Sequence, residues 1–306
     1  MGNGTNEQNR KQGSSTFWWD VLVGVRLFAM YTVLYFGLLL LLPAVFPFFH
    51  ETLQIASFLA NILAGSVVFV CLPKDMRRVR FFERESGTIK TKQSESGVGS
   101  DEAGAKDLAG KRLLTALGII MLSFGGTIVL NILMGLIPWG LFIKEEMQYS
   151  SDYAFSIPLW LSIIGVGFVV PFSEEVCFRG VLYQSFAKHM KVPVAMALSA
   201  LIFGIYHFNI QQGIYAFFMG LLLAAVVEKT GALSASILFH AVSNLTVTLY
   251  SNIPEVLKVL DTLPGLIVSI VLLAAGVILV FVLPAISPGA KNRNKNSGEE
   301  SGEGET

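Results

Sequence analysis

Eight apolar stretches divide this chain, at roughly 19–46, 53–72, 113–138, 156–186, 192–208, 213–228, 232–250 and 264–286. A transmembrane helix needs about 20 mostly apolar residues, and in hydrocarbon every backbone polar group must be paired inside its own segment or a closed barrel. Stretches of this length predict an all-α fold, a polytopic transmembrane helix bundle of about eight helices spanning 17–286. A mean hydropathy of +0.61, with only 14% charged residues, sets the chain apart from soluble globular domains. The first stretch follows a polar head and is too long for the apolar core of a signal peptide, so it reads as a retained helix.

The basic residues orient the bundle. Of 22 Lys and Arg, 18 fall on one side: Arg10 and Lys11, ten between Lys74 and Arg112, then Lys188, Lys191, Lys229, Lys291, Arg293 and Lys295. The positive-inside rule then places the N and C termini in the cytoplasm. Net charge is zero, and no basic stripe stands out, which argues against nucleic acid as a partner. The expected partners are the lipid bilayer and a membrane-embedded peptide or protein substrate. Residues 1–16, 83–110 and 287–306 are rich in Gly, Ser and mixed charge, bury little apolar surface, and read as disordered cytoplasmic tails and loop. Cys71 and Cys177 lie in apolar segments without metal or disulfide spacing and read as small buried hydrophobes. Gly165, Gly167, Gly125 and Gly126 are expected to let helices approach closely.

A charge at the bilayer centre costs about 2.5–3.5 kcal/mol on insertion scales, so ionisable residues there need a reason. Within the apolar segments stand Arg26, Glu174, Glu175, Arg179, His207 and His240, with the amides Asn61, Asn131 and Asn244. Arg26 is close enough to a helix end to reach the headgroups. Glu175 and Arg179 are four apart, share a helical face, and can neutralise one another. Glu174 points about 100° away and has no partner within its own helix. His207, and His240 with Asn244 one turn further on, are the groups on other segments that can meet it. At about 1.5 Å per helical residue, all three segments can bring these groups to one layer.

Two readings fit this set. It can be a packing network that fixes helix register, or a hydrolytic site. In the second, Glu174 acts as general base on a water, His207 orients the water or Glu174, and His240 with Asn244 donates to a tetrahedral oxyanion. Glu174, His207 and His240 could equally hold a zinc ion with a bound water. All six aspartates fall outside the apolar cores, so an intramembrane aspartyl pair is not available, and "HETLQ" at His50 lacks the second histidine of a zincin helix.

Three motifs in order, "EEVCFR" (Glu174 to Arg179), "FGIYH" (Phe203 to His207) and "HAVSN" (His240 to Asn244), resemble the CAAX protease and bacteriocin-processing family of intramembrane proteases, also called CPBP or Abi, over about residues 165–250. The resemblance implies an all-helical membrane core and endopeptidase activity at an embedded site facing the cytoplasm. Glu174 would be the activating glutamate, Glu175 and Arg179 its supporting pair, His207, His240 and Asn244 the remaining site residues, and Phe203 a site-lining residue. The family is described both as metalloproteases and as glutamate-dependent proteases. The expectation here is that no cofactor is required, with zinc as the alternative. Substrates implied are membrane-associated or hydrophobic peptides, prenylated CaaX-like or of bacteriocin or pheromone type, and family habit points to a bacterial plasma membrane. Two rival readings are a catalytically idle scaffold or bacteriocin self-immunity protein acting by binding a partner, and a proton-coupled carrier using Glu174.

Overall fold

The computed structural model describes residues 3–48, 52–71, 99–139, 158–253, 255 and 259–283. Among them are eight principal helices and no strand: α1 Asn3–Val45, α2 Leu53–Cys71, α3 Gly99–Gly135, α4 Leu159–Ala187, α5 Val192–Tyr206, α6 Ile210–Thr230, α7 Leu233–Asn252 and α8 Leu263–Val282. Seven are long and apolar enough to cross a membrane. The large apolar side chains at their outer surface, such as Leu40 and Val70 at 76% and 72% exposure, are the reverse of a soluble protein's arrangement. The chain is an integral, multi-pass membrane protein.

Several boundaries differ from those predicted. Helix α5 has 15 residues, about 22 Å against the ~30 Å of a hydrocarbon core, and is too short to span. It stops at Tyr206 because the chain turns there. Phe208 adopts φ 52°, in the left-handed region, and the Asn209 side chain accepts from the backbone N–H of Gln212 at 2.9 Å, capping α6 three residues earlier than expected. Helix α6 ends at Gly231, whose φ of 68° suits glycine and whose N–H donates to the Val227 carbonyl. Helices α1 and α3 begin within the stretches 1–16 and 83–110 that composition marks as disordered, while 72–98 and 284–306 lie outside the described residues.

Close packing follows the small residues. Gly125 on α3 lies against the α8 backbone at Ser269 and Leu273, and Gly276 on α8 against Leu122, with no room for a Cβ at either. Gly126 has more space. Gly165 and Gly167 seat the side chains of Phe58 on α2 and Leu245 on α7. Cys177 is buried as expected, but Cys71, at the end of α2, is exposed at the bundle's outer face.

Helix α4 runs through the core and is irregular. Two π stretches, Gly165–Val169 and Val176–Tyr183, flank one α-helical piece, Val170–Glu175. Pro171 contributes to the first: it offers no N–H, and its ring crowds the carbonyl of Gly167, four residues back, so the helix widens there. The two glutamates end the short piece, and every residue of the second π stretch is buried. Local π widening is a recurrent feature of functional helices.

Candidate active site

Glu175 is fully buried and surrounded by donors. Its Oε1 accepts from Arg179 Nη1 and from His240 Nδ1, both at 2.8 Å, and its Oε2 accepts from the Ser236 hydroxyl. The (i, i+4) pairing read from the sequence is present, with both side chains at 0% exposure. Arg179 also donates through Nη2 to the Gly220 carbonyl of α6 at 3.2 Å, and its guanidinium lies 4.4 Å from the centre of the Phe203 ring, within cation–π range. Three helices besides α4 thus converge on this ion pair: α5, α6 and α7.

Glu174 has the opposite environment. It is buried, with its side chain 11% exposed, and among the described residues it makes no hydrogen bond. His240 Nε2 lies 3.7 Å from its Oε2, beyond hydrogen-bond distance. His240 therefore stands between the glutamates, with Nδ1 on Glu175 and Nε2 towards Glu174. Because a carboxylate paired with Arg179 can only accept, His240 carries its proton on Nδ1 when neutral, and Nε2 then presents a lone pair.

His207 sits at the corner where α5 ends. Its Nδ1 donates to the Phe203 carbonyl at 2.8 Å, since a carbonyl can only accept, which leaves Nε2 as the acceptor in the neutral ring. The Phe203 ring meets the His207 ring edge-on at 4.8 Å and the His240 ring at 5.8 Å, and so packs against both histidines as well as the Arg179 guanidinium. Asn244 donates one amide hydrogen to the Val166 carbonyl at 2.9 Å, in the first π stretch of α4. Its other amide hydrogen has no partner among the described residues.

The motif residues therefore come together on α4, α5 and α7, but with divided contacts. Glu174, Glu175 and His240 form one contiguous group, while His207 reaches it through Phe203 and Asn244 through the α4 backbone. Among the described residues no group of three His, Cys, Asp or Glu has metal-holding geometry. Glu174, His207 and His240 do not close into a zinc site in this conformation. Ser236 lies outside the three motifs. It lies four residues before His240, as Asn244 lies four after, so the one-turn spacing that links the latter pair also contains it.

Fold and site together define a helical, multi-pass membrane protein with a buried carboxylate–histidine centre. Within it, residues 156–246 match the family model described as "Type II CAAX prenyl endopeptidase Rce1-like". The match covers less than a third of the chain, from α4 into α7, and includes all three motifs. It agrees with the resemblance read from those motifs, and the family is one of proteases. No curated protein and no solved structure matches the chain.

Proposed function

We propose that this protein is an intramembrane endopeptidase in which Glu174 activates the hydrolytic water. The observation that carries the reading is the contrast between the adjacent glutamates. Glu175 is satisfied by Arg179, His240 and Ser236, whereas Glu174 is buried with no hydrogen bond among the described residues and faces His240 Nε2 at 3.7 Å. A water can sit about 2.8 Å from both of those atoms, and a desolvated carboxylate beside it is a competent general base.

In this mechanism Glu174 takes a proton from the water as the water oxygen bonds to the scissile carbonyl carbon. The tetrahedral oxyanion is stabilised by the free amide hydrogen of Asn244, and His207, as the imidazolium, donates from Nε2 to the water oxygen, whose two hydrogens point to Glu174 and to His240 Nε2. Collapse breaks the C–N bond, and the proton held by Glu174 passes to the leaving nitrogen, giving one new carboxylate and one new amine. Glu175, Arg179 and Ser236 act through His240, fixing its ring and tautomer. No metal is required. The substrate class is a membrane-associated or hydrophobic peptide, and the prenyl CaaX class in the family description is the first to test. The basic-residue count supports cytoplasmic termini, and family habit supports a bacterial plasma membrane.

The test is hydrolysis by purified protein in proteoliposomes containing 18O water and a library of farnesylated and unmodified membrane-anchored peptides. One 18O atom in each new C-terminal carboxylate, absent with Glu174→Gln, is the expected result. Equal cleavage by the Glu174→Gln protein overturns the mechanism.

A further inference from the structure

We infer that Tyr31 on α1 and Asn61 on α2 are positioning residues for Glu174, so that the site depends on two helices outside the segment that matches the protease family. The inference rests on the endopeptidase reading above. Helices α1 and α2 face one another through two polar rungs spaced one turn apart on each. Tyr31 donates its hydroxyl hydrogen to Asn61 Oδ1 at 2.7 Å, and the Tyr35 hydroxyl pairs with the Ser57 hydroxyl at 2.9 Å. Asn61 Nδ2 donates to the Ser57 carbonyl at 3.1 Å, linking the rungs.

The ladder is attached to the site at Ser173. The Ser173 hydroxyl, 0% exposed, shares its hydrogen between the backbone carbonyl of Asn61 at 2.9 Å and that of Val169 on its own helix at 3.1 Å, and Gly65 one turn along α2 lies so close to Ser173 that a Cβ there has no room. The α2 backbone therefore rests directly on the residue preceding Glu174. Because the Glu174 carboxylate makes no hydrogen bond among the described residues, its aim is set by the position of its own backbone, and that backbone is held by Asn61. Tyr31 is 0% exposed and Asn61 6%. The Tyr31–Asn61 bond fixes where α2 sits on α1, and the α2 backbone supplies the carbonyl that Ser173 bonds, so removing the Tyr31 hydroxyl loosens the seat of Ser173 and with it Glu174.

A double-mutant cycle on full-length protein in proteoliposomes tests this, using the library peptide that the native protein cleaves fastest. Tyr31→Phe removes one oxygen and keeps the ring stacked on Tyr35 and near Tyr206. We expect kcat to fall about tenfold, the order set by one buried hydrogen bond, with KM within about twofold. Asn61→Leu should act similarly, and the double variant should be no worse than the poorer single. Unchanged kcat in Tyr31→Phe while Glu174→Gln is inactive overturns the positioning role alone, as do losses that multiply in the double variant. If Asn61→Leu does not accumulate, Tyr31→Phe decides the question by its kcat and KM. Absence of cleavage by the native protein overturns this inference together with the endopeptidase reading.

Discussion

One oxygen of Glu175 serves two elements: Oε1 accepts from Arg179 Nη1 on its own helix and from His240 Nδ1 on α7, each at 2.8 Å. The ion pair that makes two charges tolerable inside the bundle is therefore the same contact that fixes the ring facing Glu174. Stability and site geometry are coupled at this oxygen.

Breaking the pair should be costly. Arg179→Leu leaves Glu175 as a buried carboxylate without its cation, a change of about 3–5 kcal/mol. The loss should appear as a large drop in the thermal unfolding temperature in detergent. Arg179→Lys should recover only part of it, because a lysine cannot donate to Glu175 and to the Gly220 carbonyl with the same fork or stack on Phe203.

Glu174→Gln should separate function from folding. The native carboxylate makes no hydrogen bond among the described residues, so stability should remain equal or rise, within about 0.5 kcal/mol. Peptide hydrolysis should fall by about 10²-fold or more, the range for a lost general base. Parallel unfolding and turnover measurements check both halves.

Ser236→Ala removes one donor from a fully buried carboxylate. The expected cost is about 1–3 kcal/mol in unfolding free energy. Turnover should fall as well, since His240 shares Glu175 with this hydroxyl. Full activity in a destabilised Ser236→Ala protein contradicts the positioning of His240 through Glu175.

Asn209→Ala tests the corner that carries His207. Loss of the cap on α6 should cost about 0.5–2 kcal/mol. Asn209→Asp, which keeps an oxygen acceptor for the Gln212 N–H, should restore most of it in the same unfolding assay.

Much of this architecture was legible because the bilayer limits the options. Apolar runs of about 20 residues can only be helices, and Glu175 with Arg179 four residues on could be paired by spacing alone. The α5–α6 boundary was less visible, because a left-handed Phe208 has no strong sequence signature. The Asn209 to Gln212 spacing, an N-cap residue with Gln three positions later, was the available signal. The role of His240 as a bridge between the glutamates, rather than solely a partner of Asn244, depends on how α7 packs on α4, and the π stretches around Glu174 rotate that face in a way that a 3.6-residue period does not predict. Asn61 stood out as a polar residue in an apolar helix, but its link to Ser173 is a contact between residues 112 apart in sequence and appears only in the fold.

The most direct test of the central claim is the profile of membrane-peptide termini, by quantitative mass spectrometry, in cells lacking this protein and complemented with either the native chain or Glu174→Gln at equal abundance. New termini should appear with the native chain and be missing with the variant, and those termini identify the substrate. Identical profiles would contradict that claim and favour a membrane scaffold that acts by binding.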